Sequence, residues 1–573
     1  VAGLVALPVL GLDSETTGLD PRSHRVRLVQ LATPDGRVFI IDLFNVNPRV
    51  LGPLFDPTAG PILAGHNLRF DLGFLAAAGL PVPNGTRLFD SMIASYLLEA
   101  DAEPPPPKGH YSLAGVAERY LGVTLDKSLQ VSDWTGRLSH EQIRYAAHDA
   151  AILPTLHAVM SGQLKAAGLE QVASLEMRAL PAIAWLERTG APFDADAWTA
   201  LAIEAKRRQV ELEQALADEA GTLTLFGDSA VKWNSPKQVQ KVLQARGHTV
   251  TRLDEDVLLE LAEREPLARL LLDYREQTKR VGTYGRGVLG HVAASTDRIH
   301  PDWIQMGSRA GRMSCSKPNL QQVPRTPAYR ACFRPAEGRV LVKADLSQIE
   351  LRIAAELSGD ERLLAAYAVG EDVHSLTAAE VLGRRNGEVT TADRQAAKAI
   401  NFGLMYGCGV PRLRAQAFKE YGVELSEAEG HRFRRTFFET YRGLKEWHRR
   451  ITRDQPVDTR TISGRRRLGV ARYTEQINTP VQGTGADGFK LALALLWETR
   501  DRVPSAAPVL VVHDEIVVEC DRADAERARD WLTDCMTRGM SAFLTRVPVV
   551  VEATIERDWS GTPLTSEKES KAR

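Results

Sequence analysis

The chain has 573 residues, 44% of them hydrophobic and 25% charged, which is the make-up of an ordinary globular protein too long for a single domain. Lys and Arg (72) balance Asp and Glu (73), so bulk charge does not attract a polyanion and any such partner must meet cations concentrated locally. Five scattered cysteines, odd in number and without CxxC spacing, exclude a zinc or disulfide framework and fit a reducing compartment.

No run reaches transmembrane length, and the start VAGLVALPVLGL lacks a basic leader and a cleavage site, so it reads as the approach to a first strand. That strand ends in VLGLDSETTGLD, where Asp13 and Glu15 are two residues apart and share a face. GHNLRFDLGFL offers Asn67 and Asp71, and YAAHDAAIL offers Tyr145 and Asp149, each an i,i+4 pair if helical. The AEPPPPKG insert predicts a stiff surface loop, with a proline-recognition ligand as the alternative.

A long polar helical stretch follows LPAIAWLERTGAPFDADAW. WNSPKQVQKVLQARG predicts a helix start with Ser235 as N-cap, Pro236 in the first turn and Gln238 completing a capping box. In LLDYREQTKRVGTYGRG, Arg275 and Lys279 lie one turn apart.

VLVKADLSQIELRI presents Asp345 at the end of an apolar strand, and PVLVVHDEIVVE places Asp514 and Glu515 between two β-branched runs. Carboxylates in such runs need a cation or a metal. Two such sites able to face one cleft suggest a pair of hard divalent ions. Between them, in TTADRQAAKAINFGLMYG, Arg394, Lys398, Phe402 and Tyr406 recur every fourth residue and form one helical stripe. Two cations followed by two aromatics suit a ligand with a polyphosphate at one end and a flat base at the other.

DLSQIELR, RQAAKAINFGLMYG and HDEIVVE, in this order, resemble motifs A, B and C of the family A DNA polymerases of the bacterial polymerase I type. AGRMSCSKPNLQQVPR (Arg312, Asn319), EDVHSLTA (His374), GRRRLG and INTPVQGTGADGFKLAL (Asn478, Gln482) extend the resemblance over nearly the whole chain. Asp13, Glu15, Asp71, Asp149 and Tyr145 together resemble the tyrosine-bearing subgroup of DEDD exonucleases. DKSLQVSDWTGRLSHEQIRYAAHDA is also similar to ribonuclease D.

The resemblance implies an α/β and α+β multidomain fold: a ribonuclease H-like 3′→5′ exonuclease domain over 1–165, followed by a right-hand polymerase over 166–573. The thumb falls at about 195–290, the palm at about 291–370 and 471–573, and the fingers at about 371–470. The implied activity is template-directed addition of deoxynucleoside triphosphates to a primer 3′ end, with proofreading. Two Mg²⁺ per active site are implied, with Mn²⁺ able to substitute. Asp345, Asp514 and the Leu346 carbonyl would hold them in the polymerase; Asp13, Glu15, Asp71 and Asp149 would do so in the exonuclease, where Tyr145 helps position the attacking water.

Arg394 and Lys398 would take the β- and γ-phosphates with help from Gln348 and His374. Phe402 would pack on the incoming nucleoside, Tyr406 against the template base, and Glu350 beside the sugar C2′ as a gate against ribonucleotides. Arg312, Asn478 and Gln482 would read the minor groove. Asn319 and the thumb residues Arg275 and Lys279 would contact primer–template DNA, while His513 and the catalytic Glu515 lie near the primer end. Leu346 stands where the family often has Tyr, a tolerable change if only its backbone carbonyl is used. The family's upstream 5′-nuclease domain has no counterpart in these residues. A cytoplasmic monomer with no membrane partner is expected, in a bacterial cell or a virus-infected host. A ribonuclease D-type nuclease with a degenerate C-terminal half is disfavoured because Asp345, Lys398 and Asp514 are all present. A silent DNA-binding protein is disfavoured by two complete carboxylate sets.

Overall fold

In the computed structural model, which describes residues 1–100, 106–221, 231–384, 388–451 and 457–564, the first apolar run forms the central strand of a five-stranded sheet. The strands are β1 (Val9–Thr16), β2 (Val26–Ala32), β3 (Val38–Asp42), β4 (Ile62–Gly65) and β5 (Leu88–Asp90). Their order is β3-β2-β1-β4-β5, the first three antiparallel and the last two parallel to β1. β2 is buried at every position, which explains its unbroken VRLVQLA run.

Helices α1 (Leu68–Ala77) and α2 (His140–Ala151) carry the remaining acids of this unit. α2 opens on a capping box between Ser139 and Gln142. The chain at its end lies so close to β1 that a Cβ on Gly11 would sit 2.8 Å from the Ala150 carbonyl oxygen. A side chain at that position would push Asp149 away from Asp13. Residues 102–105 of the proline insert and the polar end SEKESKAR lie outside the described residues.

α3 (Glu170–Thr189) then runs between this unit and the rest of the chain. α4 (Ala195–Ala220) and α5 (Pro266–Tyr284) pair, and with Pro236–Ala245 and Glu255–Ala262 they enclose a separate core that includes Trp233, Leu258 and Leu271. Ser235 is the N-cap and Pro236 the first helical residue as predicted, but the capping box does not form. The Ser235 side chain makes no capping bond, and the Gln238 carboxamide oxygen accepts from the Lys232 amide at 2.7 Å instead.

The C-terminal half is built on an antiparallel sheet of β6 (Arg339–Leu346), β7 (Ala507–Val512), β8 (Glu515–Asp521) and β9 (Val551–Glu556), ordered β7-β8-β6-β9. After β6 come α6 (Ile349–Ser358), α7 (Val373–Leu382), α8 (Thr391–Met405) and the long α9 (Tyr473–Glu498). α10 (Ala525–Ser541) packs on α9 and on the sheet. α8 begins with a Thr390–Asp393 capping box.

A buried ionic cluster locks α3 to this half. Glu176, fully buried, accepts from Arg465, from Lys490 Nζ at 2.6 Å and from Gln305 Nε2 at 2.6 Å. Arg465 also reaches Asp487 at 2.6 Å, and Ser463 and Thr461 donate to the same carboxylate. Two cations thus meet two anions, and Gln305, Ser463 and Thr461 add further donors, which favours the pairing that a buried cluster needs. Arg178 makes a two-point bond to Glu498 at 2.8 Å, and Arg466 donates to the Leu98 carbonyl at 2.7 Å. Arg465→Met leaves Asp487 buried without its cation and Glu176 with Lys490 alone, and is expected to destabilise the fold by about 3–5 kcal/mol, read as a lower denaturant midpoint.

Candidate active sites

β6 and β8 run in a register that pairs Asp345 with Glu515, and β6 and β9 pair Asp345 with Glu552. β7 and β8 are joined by only His513 and Asp514, a two-residue hairpin turn that lifts Asp514 to its tip. His513 has φ 58°, in a turn position that glycine normally fills, and Gln348, two residues after the β6 end, has φ 53°. Left-handed backbone at non-glycine residues costs energy and clusters at working sites.

Burial first, then the Asp514 and Glu552 charges, push Asp345 up to about 6, against the opposing pull of Lys343. Asp514 and Glu515 are raised as well, mainly by burial. Glu515 is turned aside: the Trp559 indole donates to its carboxylate at 2.6 Å. It does not line either cavity described below; the exposed Glu552, which the sequence reading missed, lines the first.

A cavity of about 370 Å³ brings Asp345, Asp514 and Glu552 together with Arg394, Lys398 and Phe402 of α8, so three of the four stripe residues meet there. Gln348, Glu350 and His374 also line it. Burial lowers His374 to about 4, which keeps it neutral. The Asn401 amide sits 2.9 Å from its Nδ1, which leaves Nε2 as the site of the proton. Arg394 is forked onto Asp372 at 2.8 and 3.1 Å.

A second cavity of about 270 Å³ adjoins the first and shares Leu346, Ile349, Glu350 and Asp514 with it. Its own lining includes Arg312, Gln482 and His513, three of the expected DNA-contacting residues. Glu350 stands in the shared wall, where its carboxylate accepts from Arg312 at 2.5 Å and from the Tyr406 hydroxyl. Tyr406 therefore goes to Glu350 and lines neither cavity. Asn478, one turn from Gln482 on α9, has a buried Oδ1 without a partner. Asn319 instead caps the turn Leu320–Gln322, its Oδ1 accepting from Gln321 N at 3.0 Å. Arg275 is half-buried and donates to the Leu253 carbonyl, whereas Lys279 is exposed.

In the N-terminal unit, Asp13 and Glu15 on β1 face Asp149 and Tyr145 of α2. Burial, then Asp149, raises Asp13 to about 7; burial, then Asp13 and Asp149, raises Glu15 to about 9. Asp71 is raised by burial and by Asp13, and accepts from Ser14 Oγ at 2.5 Å. Asn67 is the left-handed N-cap of α1 (φ 55°), not a helical partner of Asp71. The start of α1 is held by the buried Asp90, which accepts from Leu68 N at 2.7 Å. Lys127 pairs with Asp149 at 2.5 Å and lies 5.4 Å above the Tyr145 ring. Among the described residues no three His, Cys, Asp or Glu side chains close into a metal cage. The acids nevertheless repel one another across a shared space, and an all-oxygen donor set of that kind fits hard divalent cations. A cavity of about 690 Å³ opens beside Tyr145 and His148.

Comparison with known proteins matches residues 198–561 to the model of DNA polymerase family A and residues 2–165 to that of a 3′-5′ exonuclease. DNA polymerase I of Aquifex aeolicus (strain VF5) is 34% identical over 96% of this chain and 96% of its own length. DNA polymerase I of Pseudomonas aeruginosa is 32% identical over 96% of this chain and 63% of its own, and the thermostable DNA polymerase I of Thermus aquaticus is 32% identical over 85% and 57%. The POL domain of Pol1 from M. smegmatis, solved in complex with DNA primer-template and dNTP, superposes with a TM-score of 0.82 at 24% identity over 98% of this chain and 97% of that one, and so shares the fold.

Proposed function

Because the chain belongs to DNA polymerase family A and carries a 3′-5′ exonuclease domain, we propose that it extends primers at the two adjoining cavities and trims mispaired ends at Asp13, Glu15, Asp71 and Asp149. The observation that carries this reading is the shared wall: Glu350 and Asp514 stand between a chamber lined by Arg394, Lys398 and Phe402 and one lined by Arg312, Gln482 and His513. Arg394 and Lys398 take the β- and γ-phosphates, Gln348 and the His374 Nε2 proton add neutral donors, and Phe402 packs on the nucleoside. Arg312, Gln482 and Asn478 hold the minor-groove acceptors common to every correct pair, with His513 at the primer end.

In this arrangement the primer 3′-hydroxyl gives up its proton to solvent, its oxygen bonds to the α-phosphorus, the bond from that phosphorus to the bridging oxygen of the β-phosphate breaks, and pyrophosphate leaves. The protein's part is positioning and charge compensation. Asp345, Asp514 and the Leu346 carbonyl would hold two Mg²⁺, or Mn²⁺, and such ions supply Lewis acidity at the attacking and leaving oxygens when bound. The four exonuclease acids are suited to the same ions, and Tyr145 orients the water. Lys279 and the helices of about 195–290 grip the duplex. The enzyme would act on primer–template DNA as a cytoplasmic monomer; no helix among the described residues is long and apolar enough to cross a membrane. Primer extension and 3′ degradation, measured on one labelled substrate with Mg²⁺, test both halves; a folded protein that does neither overturns the reading.

Phe402 adds a check on the cavity. A phenyl ring offers no hydroxyl to replace a missing sugar 3′-OH, so the enzyme should reject dideoxynucleotides. Phe402→Tyr is expected to relax that rejection about 100-fold, or about 2.7 kcal/mol, in chain-termination competition assays. Equal terminator use by both proteins would remove Phe402 from the site.

A further inference from the structure

We infer that Asp372 is a positioning residue for the polyphosphate end of the incoming nucleotide, acting through Arg394; the inference rests on the reading of the α8 cavity as the nucleotide site. Asp372 is the N-cap of α7, where its Oδ2 accepts from Ser375 N at 3.0 Å and from Ser375 Oγ at 2.6 Å. The carboxylate is therefore fixed by a helix start. Onto it Arg394 sets a two-point fork, Nε to Oδ2 at 2.8 Å and Nη2 to Oδ1 at 3.1 Å. Oδ1 also accepts from Gln348 Nε2 at 3.3 Å, and Gln348 Oε1 accepts from the Tyr367 hydroxyl at 3.3 Å.

Three elements meet at this one acid: the left-handed turn after β6, the start of α7 and the first turn of α8. A guanidinium carries five N–H groups. The fork engages two along one edge and leaves three on Nη1 and Nη2 free to meet an anion. An unattached arginine loses rotamer freedom whenever it takes up a ligand. Arg394 has already lost it, so its remaining donors are aimed before the ligand arrives. Asp372 does not line the cavity although Arg394, Gln348 and His374 do, so it acts on the ligand only through its neighbours. The geometry has an unfavourable side: Asp372 adds a negative charge near a polyphosphate, and that charge alone would make its removal improve binding. The two effects predict opposite signs.

The test is single-nucleotide insertion on a primer–template with varied deoxynucleotide, together with the reverse reaction with varied pyrophosphate. Asp372→Asn keeps a capping side chain and removes the charge-assisted fork. It is expected to raise KM for the nucleotide and for pyrophosphate about tenfold each, with kcat within about twofold. Arg394→Lys keeps the cation, leaves the α7 cap intact and cannot form the fork, so it should show the same KM rise. In an Arg394→Ala background, Asp372→Asn should add less than about twofold. An unchanged or lower KM in Asp372→Asn, or full additivity in the double variant, overturns the positioning role. An unchanged KM in Arg394→Ala overturns the reading of the cavity itself.

Discussion

Replacing Asp13 and Glu15 with alanine is expected to lower 3′→5′ degradation by about 1,000-fold or more, about 4 kcal/mol of transition-state stabilisation, while primer extension stays within about twofold. The two acids sit on β1, whose sheet shares no strand with the one that carries Asp345 and Asp514. The substitution should also stabilise the metal-free protein at neutral pH. Asp13 rises from its ordinary 3.8 to about 7 because burial and Asp149 oppose its charge. A carboxyl whose folded pKa is raised binds more protons folded than unfolded, so stability falls as pH climbs between those two values. Glu15, raised to about 9, extends the decline to higher pH. The double variant should therefore lose part of this pH dependence and melt higher than the parent at pH 7 without added metal. A parallel fall in extension by a folded variant would show that the acids do not form a separate site.

Glu350→Ala is expected to raise ribonucleotide incorporation relative to deoxynucleotide incorporation by about 100-fold or more, about 2.7 kcal/mol of lost discrimination. The Glu350 carboxylate is held by Arg312 and Tyr406 in the wall between the two cavities. A 2′-hydroxyl arriving there meets an acceptor already engaged by two donors. Burying it without a satisfactory partner costs about 1–3 kcal/mol, and overlap in a closed site adds to that. Competition between ribo- and deoxynucleotides at one template position measures the ratio directly. If both incorporations fall together and the ratio holds, Glu350 serves only to anchor Arg312 and Tyr406.

Much of the polymerase site was legible because its residues sit in short strings with strong local grammar. The β-branched runs around His513 and Asp514 could only be strands, and the fourfold spacing of Arg394, Lys398 and Phe402 put them on one helical face. What escaped the sequence depends on pairing between distant segments. Glu552 reaches Asp345 only through the register of β9 against β6, and alternation in VVVEATIE marks it merely as a surface residue. Glu515 is drawn off by Trp559, 44 residues later. Nothing in the local strings around Asp372 and Lys127 singles them out; only folding sets Asp372 beside Arg394 and Lys127 beside Asp149. The failed capping box at Ser235 shows the same limit at short range: Gln238 found a better acceptor role six residues back, at Lys232.

The ionic cluster around Glu176 bears on how errors are corrected. With α3 pinned to Arg465, Lys490 and Glu498 on one side and packed on α1 on the other, the N-terminal unit is tied to the C-terminal half by ion pairs and packing among the described residues. On the proposed function, the part expected to move during proofreading is then the nucleic acid. A primer end would change sites by melting its last pairs and crossing as a single strand, which makes the expected choice between extension and excision a contest between duplex stability and strand flexibility. A mispaired end, already partly unstacked, enters that contest ahead, and the protein needs no internal signal to tell it that a mistake was made.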